Sequence, residues 1–429
     1  MSTPQSLSAL EQQDSKIVEL IRWEEEREFS WLELIPSENY VSRACHEAMG
    51  SVFTNKYSEW YPHKRYYGWQ TFTDPLEELC IERACALFDC QYANVQTHSG
   101  APANIATYFA LCEPWDTILG MDLSHGWHLT HGHPVTYLSK IFNFVRYKMK
   151  DPETGEIDYE DLRRVAHETR PKIILAGFSA YPRELDYAKF VEIAREVWAI
   201  TMADMAHIAG LIAGKALKNP FDFGFDIITS TTHKTLRWPR GGLILTRENQ
   251  EIAKKIDKSV FPGLQGWPHM HTIAAKAVAF GEALTPDFRD YSHQILKNAK
   301  AMEQVFKENK IRLITGGTDN HLLLADVWGS MGVSGKEAQT VLDEVGITLN
   351  MNAIADDPRK PMDPSGIRFG TPAITTRWFT EWASMEVAQY MIDTMRAKDD
   401  TNQKQAIREK IRWLAQAHPI PDTFIRSTF

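Results

Sequence analysis

Six short apolar runs, separated by segments with helical spacing, set the pattern of the middle of the chain. They cover residues 93–96, 117–123, 172–178, 198–203, 227–229 and 242–246. Apolar runs of this length that alternate with helical segments predict parallel strands joined by crossover helices. The pattern therefore predicts an α/β fold whose large domain contains a doubly wound, mostly parallel sheet.

A second, shorter alternation follows towards the C-terminus. The segments IRLITGG, HLLLADV, GKEAQTVLDEVG and GIRFGTPAITT predict a smaller α/β domain. Residues 7–33 have amphipathic helical spacing, whereas residues 34–72 combine aromatic residues and turn formers without periodicity. We therefore expect an N-terminal arm and active-site loop region (1–72), a large domain (73–294) and a small C-terminal domain (295–429).

The start of one helix has a clear sequence signal. Asp74 is followed by Pro75 and, three residues after Asp74, by Glu77. An acidic N-cap with proline at the first helical position typically opens a helix. We expect Asp74 to cap a helix that continues to Leu87, and this role is favoured over that of a catalytic acid.

Charge and composition exclude several classes of protein. The 429 residues include 47 Lys and Arg against 56 Asp and Glu, for a net charge of -9, which disfavours nucleic acid as the main partner. No run approaches the roughly 18 apolar residues of a membrane span, and the polar N-terminus lacks the layout of a signal peptide, so we expect a soluble cytoplasmic protein. The five cysteines include no C-x-x-C pair, and we expect reduced thiols.

The most informative chemistry lies in the hexapeptide STTHKT at residues 230–235, which follows an apolar run and contains Lys234. A lysine held at the end of a buried strand is partly desolvated, so its pKa falls and it becomes a candidate Schiff-base nucleophile. The alternative is an ordinary surface lysine. Asp204 ends the preceding apolar run, at the edge where parallel sheets bind ligands, although an acid there also suits a turn or cap. A pyridoxal phosphate ring needs such an acid opposite its nitrogen.

Two other segments suggest how an anionic cofactor would be held. Residues 94–104, NVQTHSGAPAN, predict a strand, a small-residue turn and a helix start whose free N–H groups can bind phosphate, or else an ordinary capped helix. The histidine-rich run HGWHLTHGH at 125–133 lacks a nearby thiolate, so we expect no metal site. We expect the imidazole of His128 to stack on the ring of an aromatic cofactor instead.

Arg368 lies among small and apolar residues in the predicted small domain. Its guanidinium can bind a carboxylate through two parallel hydrogen bonds, so it suits an amino-acid substrate. A structural salt bridge is the alternative.

Taken in order along the chain, these segments resemble the serine hydroxymethyltransferase family of fold-type I pyridoxal-phosphate enzymes. The matching stretches are LELIPSENYVS, GSVFTNKY, KRYYG, NVQTHSGAPAN, MDLSHGWHLTHG, DYEDLRR, AGFSAYPR, ADMAHIAGLIA, TTHKTLRWPRGGLILT, FPGLQGWP, TGGTDNHLLLADV and SGIRFGTPAITTR. The resemblance implies that pyridoxal 5′-phosphate is the cofactor and that the protein is a homodimer or a tetramer of dimers.

The resemblance also assigns site residues. It implies a catalytic set of Lys234, which would carry the cofactor, Asp204, His128, and, from the neighbouring subunit, Tyr57, Glu59 and Tyr67. The implied cofactor-binding set is Ser99, Gly100, Ala101, His128, Ser179, Asp204, His207, Thr231, His233, Lys234 and the partner-facing Gly266. The implied substrate-binding set is Ser37, Tyr67, Arg368, Trp127 and Asn352.

The chain departs from the family pattern by carrying tryptophan where the family usually has glycine. These positions are Trp60, Trp69, Trp127, Trp238, Trp267 and Trp378. In the family, the backbone near Trp127 borders the pterin slot of tetrahydrofolate, and Ala353-Ile354-Ala355 also departs from the pattern. The residues that resemble the folate site are nevertheless retained: Glu59, Tyr66, Tyr67 and Asn352.

A narrowed, aromatic slot favours an aldehyde acceptor over folate. The leading hypothesis is therefore a folate-independent L-threonine transaldolase that converts L-threonine and an aromatic aldehyde to acetaldehyde and a new β-hydroxy amino acid, as in natural-product biosynthesis. The alternatives are serine hydroxymethyltransferase, a threonine or phenylserine aldolase, and a non-enzymatic scaffold homologue.

Overall fold

The computed structural model describes residues 9–122, 125–126 and 128–424 of the chain. The strands are β1 (Leu32–Glu33), β2 (Tyr92–Asn94), β3 (Thr117–Met121), β4 (Asn143–Tyr147), β5 (Met149–Asp151), β6 (Glu156–Ile157), β7 (Ile173–Gly177), β8 (Ile200–Asp204), β9 (Ile227–Thr231), β10 (Gly242–Thr246), β11 (Arg312–Leu313), β12 (Leu322–Asp326), β13 (Ile347–Thr348), β14 (Asn350–Asn352) and β15 (Gly366–Gly370).

The helices are α1 (Ala9–Gln13), α2 (Ser15–Ser30), α3 (Arg43–Met49), α4 (Thr73–Phe88), α5 (Gly100–Leu111), α6 (Tyr159–Thr169), α7 (Tyr187–Val197), α8 (Ala209–Ala213), α9 (Gln250–Lys258), α10 (Met270–Ala283), α11 (Pro286–Glu308), α12 (Val327–Met331), α13 (Gly335–Val345), α14 (Pro372–Thr376), α15 (Glu381–Arg396) and α16 (Thr401–Ala417). None of these described helices is both long enough and apolar enough to cross a bilayer.

A seven-stranded sheet with the order β2-β10-β9-β8-β7-β3-β4 forms the centre of the molecule. The strands from β9 through β4 are parallel, whereas β10 runs antiparallel to both of its neighbours. Successive residues face opposite sides: Ile227 packs with residues of α5 and α9, and Ile228 belongs to the main core on the other side. The α/β class is thus confirmed, with a mixed sheet covered on both faces.

A four-stranded antiparallel sheet, β11-β12-β15-β14, forms the centre of a second core. This core also receives α11, α13, α15 and α16, together with Leu32 and Leu34 from the N-terminal segment. Strand β1 pairs in parallel with β13, which fixes that segment beside the C-terminal half. The boundary expected at residue 295 falls inside α11, and the division into domains stays a prediction.

Two local expectations were wrong. Asp74 does not cap α4, because the helix begins at Thr73 and the Asp74 carboxylate instead accepts hydrogen bonds from the Arg65 side chain and the His63 backbone. The supposedly irregular region 34–72 contains α3, whose true N-cap is Ser42. At Asp74, contacts with Arg65 and His63 replaced the capping role. At α3, the Ser42 side chain caps a helix that the sequence pattern did not indicate.

Five tryptophans adopt a left-handed backbone conformation. They are Trp60, Trp69, Trp115, Trp198 and Trp378, with φ between 56° and 78°. Their side chains are 42–92% exposed, so the indoles gain little from burial. A bulky residue with positive φ is a genuine outlier, and glycine is the residue that adopts this conformation freely.

Replacing Trp198 with glycine should raise the free energy of unfolding by about 1 kcal/mol, because a left-handed residue with a Cβ costs about 1–2 kcal/mol and glycine carries a smaller entropic cost. Trp198 occupies the left-handed cap of α7 and is 92% exposed. Urea unfolding gives the measurement. The matched control is Trp413→Gly: Trp413 is also exposed but lies inside α16, where glycine should destabilise by about 1 kcal/mol. A loss of stability in Trp198→Gly would contradict the strain argument.

Candidate active site

A cavity of about 220 Å³ opens where β8 and β9 end and α5 begins. It is lined by Ser99, Gly100, Ala101, Asn104, His128, Phe178, Ser179, Asp204, Ala206, His207, Thr231, His233 and Lys234. The fold therefore brings together most of the cofactor-binding residues expected from the sequence. Asn104, Phe178 and Ala206 were not among them.

Lys234 lies three residues beyond β9 and is buried. Burial lowers the pKa of its amine to about 8, and the nearby Asp204 charge opposes this shift. The Asn39 amide donates to the Lys234 carbonyl oxygen over 3.3 Å, which fixes the backbone that carries the amine. The neutral, nucleophilic form of this amine is therefore more populated near neutral pH than that of an exposed lysine.

Asp204, the last residue of β8, is the acid of the cavity. Burial alone would raise the pKa of Asp204, but hydrogen bonds from His131 and Asn104 and the nearby imidazoles lower it below its usual range. His131 Nε2 lies 2.9 Å and Asn104 Nδ2 lies 2.8 Å from the same carboxylate oxygen. The hydroxyl of Thr229 donates to Asn104 Oδ1 over 2.6 Å, which orients the amide with its N–H groups towards Asp204. Asp204 is thus held as a buried anion.

The start of α5 has the features of an anion seat. Ser99 is its extended N-cap, yet its hydroxyl makes no capping hydrogen bond. Helix-start N–H groups lack partners within the helix and favour negative charge. A Cβ on Gly100 would lie 2.5 Å from Thr231 Cγ2, so only glycine allows β9 to approach so closely. Among the residues that the structure describes, the buried Thr231 hydroxyl has no hydrogen-bond partner.

The comparison with known families agrees with this geometry. Residues 10–391 match the family model for serine hydroxymethyltransferase. The chain belongs to the serine hydroxymethyltransferase family. Members of this family are transferases that use pyridoxal 5′-phosphate, and this chain is accordingly a pyridoxal-phosphate-dependent transferase. The family match does not distinguish the expected L-threonine transaldolase branch from the other members of the family.

The residues of this family member fit the cofactor. The cavity contains one buried amine of lowered pKa, Lys234, and one buried carboxylate held ionised, Asp204. The unpartnered Thr231 hydroxyl and the free end of α5 lie in the same cavity and suit a phosphate group. Lys234 would hold the cofactor, Asp204 would face its ring nitrogen, and Ser99, Gly100 and Thr231 would bind its phosphate.

Arg368, on β15, lies next to the cavity wall. Its Nε donates to Asn350 Oδ1 over 3.0 Å and its Nη1 donates to the Ser179 carbonyl oxygen over 2.7 Å. Burial lowers its pKa to about 10. Within the described part of the chain, no carboxylate lies at ion-pair distance from Arg368, which argues against the salt-bridge alternative. A half-buried guanidinium without a carboxylate partner among the described residues is instead suited to an incoming carboxylate.

Several expected site residues lie outside the cavity. Tyr57 and Tyr67 are about 40% exposed and make an edge-to-face contact at 5.1 Å, and the Tyr57 ring lies 4.7 Å from that of Trp267. Glu59 is half-buried near them, and a Cβ on Gly266 would meet no atom of the described chain within 4 Å. Tyr57, Tyr67 and Trp267 together form an exposed aromatic surface on the single chain.

The remaining expected substrate-binding residues are Ser37, Asn352 and Trp127, and neither Ser37 nor Asn352 is among the residues that line the cavity. Ser37 lies between Pro36, which packs near Gly370, and Asn39, which bonds the Lys234 carbonyl. Asn352 is half-buried on β14 and donates to the Ala353 carbonyl oxygen. Trp127 lies outside the described residues.

One grouping has the donor atoms of a metal site. The ligand atoms of His128, His131 and Asp204 lie within 4.8 Å of one another. However, the Asp204 oxygen nearest His131 already accepts from Asn104, and His128 Nδ1 already accepts from the Thr130 backbone N–H over 3.3 Å. We infer that these histidines stabilise the charge of Asp204. The expectation that the protein has no resident metal stays a prediction.

Proposed function

We propose that this protein binds pyridoxal 5′-phosphate and cleaves the Cα–Cβ bond of L-serine, passing the one-carbon unit to tetrahydrofolate. The observation that carries the proposal is the meeting of Lys234 and Asp204 in one buried cavity with Arg368 beside it. When bound, the cofactor supplies an electron sink for the pair left on Cα. The family match supports the same reaction class.

Each side chain would have a defined task. In its neutral form, the Lys234 amine would hold the cofactor and then accept or return a proton at its Nζ. Asp204, held ionised by His131 and Asn104, would keep a proton on the ring nitrogen. Arg368 would bind the substrate carboxylate through its free donors, and the neutral ring of His128 would lie over the cofactor.

L-threonine transaldolase is the second candidate. The observation that favours it is Trp267, whose indole extends the exposed aromatic surface at Tyr57 and could form an apolar wall for an aryl aldehyde. Of the other family-departing tryptophans that the structure describes, Trp60, Trp69 and Trp378 are exposed and Trp238 is buried against Phe280. None of these four lines the cavity. This distribution of the tryptophans favours the hydroxymethyltransferase.

Two parallel incubations separate these functions. One contains L-serine and tetrahydrofolate, the other L-threonine and benzaldehyde, and Lys234→Ala is the inactive control for both. Glycine and methylenetetrahydrofolate from the first mixture alone support the leading proposal. Phenylserine and acetaldehyde from the second mixture alone support the transaldolase. Acetaldehyde and glycine from L-threonine without any acceptor would identify an aldolase, and inactivity with no visible cofactor band would support the scaffold homologue.

We also propose that a second copy of the chain covers the exposed aromatic surface. Tyr57, Tyr67 and Trp267 are unusually exposed for aromatic residues that contact one another. In a homodimer, or a tetramer of dimers, this surface would face the partner's cavity. Sedimentation equilibrium tests this: a monomer at micromolar concentration would refute it, and Tyr57→Ala should weaken the assembly.

Cofactor uptake by the apo-protein should depend on pH. Because burial lowers the pKa of Lys234 to about 8 from the usual 10.5, the neutral amine accumulates as the pH rises towards 8. The rate of uptake should therefore rise from pH 6 to about pH 8 and then level off. The increase of the cofactor absorbance band after mixing gives this rate. A rate that keeps rising to pH 10 would mean that the amine is not desolvated.

Arg368→Lys should raise KM for the amino acid by roughly 10-fold to 100-fold with a smaller change in kcat, because lysine cannot reproduce two parallel charged hydrogen bonds. The hydrogen bonds from Nε and Nη1 to Asn350 and Ser179 orient the guanidinium for this role. Initial rates against amino-acid concentration give both constants. Arg170→Lys, in the cap of α6, is the control. An unchanged KM would remove Arg368 from the carboxylate site.

A further inference from the structure

Lys276 is a buried cation that the proposed reaction does not use. It lies in the middle of α10 with 1% of its surface exposed. Its ammonium donates to the carbonyl oxygens of Val95 at 2.7 Å, Gly242 at 2.8 Å and Thr97 at 3.2 Å. In the described chain no carboxylate lies within ion-pair distance of it. Three backbone carbonyls therefore take the place of a counter-ion.

The three carbonyls belong to the two segments that flank the phosphate seat. Residues 95–97 lead directly into Ser99 and Gly100, and Gly242 begins β10, next to the strand that ends at Thr231. The Gly242 N–H also donates to the Thr97 carbonyl over 2.9 Å. One ammonium thus ties both segments together.

The segments held by Lys276 pack closely against Ser99, at the phosphate seat. A Cβ on Gly242 would lie 2.3 Å from the Ser99 carbonyl oxygen, and a Cβ on Gly241 would lie 2.3 Å from Lys276 Cε. Because Gly242 has no Cβ, the Ser99 backbone lies directly against the start of β10. The position of the ammonium and the position of the Ser99 turn are therefore coupled.

We propose that Lys276 is a positioning residue for the cofactor phosphate: it fixes the turn that carries Ser99 and Gly100 and adds a buried positive charge behind it. This inference rests on the proposed binding of pyridoxal 5′-phosphate. Lys276 would act on the bound phosphate through its charge and through the turn, without contacting the phosphate itself. Removing the charge should weaken binding of the phosphorylated cofactor more than binding of pyridoxal, which lacks the phosphate.

The test compares the dissociation constants of pyridoxal 5′-phosphate and pyridoxal for the wild type, Lys276→Met and Lys276→Gln. Lys276→Met should lose at least about 10-fold in affinity for the phosphorylated form, with little change for pyridoxal. Lys276→Gln should recover part of that loss, because an amide can still donate to two carbonyls. Lys215→Met is the matched control, since the Lys215 ammonium also donates to a backbone carbonyl, that of Leu87.

The outcomes are distinct. Equal losses for both ligands, or no loss, would leave Lys276 with a purely structural role and overturn the inference. If Lys276→Met does not fold, the same comparison is decided by Lys276→Gln. Failure of the wild type to bind either ligand would overturn the proposed function instead.

A second inference follows independently from the left-handed tryptophans. Trp60, Trp69, Trp115, Trp198 and Trp378 occupy backbone conformations suited to glycine, and none is buried. Tryptophan makes up 13 of 429 residues, so five in this conformation are far more than its abundance explains. Tryptophan and glycine codons differ by one base, and the codon UGA is assigned to either residue in different genetic codes.

We infer that the codons of these five positions are translated as glycine in the cell that makes the protein. Peptide sequencing by mass spectrometry of protein isolated from that cell tests this directly. Glycine at the five positions, with tryptophan retained at the helical Trp413, supports the inference. Tryptophan at the five positions overturns it, and the strain is then a real property of the chain.

Discussion

Replacing Lys234 with alanine is expected to reduce turnover by at least about 10³-fold and to abolish the borohydride-reducible link to the cofactor. The reason is that the described cavity offers one amine, buried and with a pKa lowered to about 8, at the point where β9 ends. The measurements are steady-state rates and the absorbance of the purified protein before and after borohydride.

The control for this substitution is Lys218→Ala. Lys218 has an exposed side chain that pairs with Glu184 on the surface. Its loss should leave both the rate and the absorbance band unchanged. Retained turnover in Lys234→Ala would exclude Lys234 from the central role, whereas a lost band with unchanged folding, judged by circular dichroism, would support it.

Asp204→Asn is expected to lower kcat by about 10²-fold to 10³-fold, a typical cost of removing a preorganised charge from a buried site. The amide keeps the shape of the side chain but cannot hold a proton on the ring nitrogen. Because Asp204 is already supported by His131 and Asn104, the variant should fold and still bind the cofactor. Single-turnover kinetics with the reconstituted protein separate the chemical step from binding.

The exposed Asp222→Asn provides the comparison for Asp204→Asn. It should behave as the wild type in every assay. A near-normal kcat in Asp204→Asn would mean that the acid serves only the fold, and the proposed electron-sink arrangement would then have to use another group.

Much of the fold was accessible from the sequence, because the mostly apolar strands β7 and β10 are fully buried and β8 is buried except at Ile200. The antiparallel direction of β10 was not, since hydrophobic pattern alone gives no strand direction. Likewise β4, at Asn143–Tyr147, was missed because it is only partly buried and contains Asn143 and Arg146.

The candidate site divides in the same way. Lys234 and Asp204 follow buried strands, and this local signal was sufficient to select them. Asn104 and His131 were missed because their role exists only across space: each meets Asp204 from a distant part of the chain. Asn104 ends the motif NVQTHSGAPAN, and His131 lies in the histidine-rich run. Both residues therefore stood in segments that the sequence singled out, but nothing in the sequence indicated that they contact Asp204.

The pairing of β1 with β13 has a consequence for synthesis of the chain. Leu32 and Leu34 leave the ribosome early, yet their core and their strand partner, at Ile347, are made only near the end. Until then these apolar side chains have no native place to bury, which is the situation that exposes a nascent chain to aggregation. Truncated products ending before β13 should therefore depend on chaperones to stay in solution.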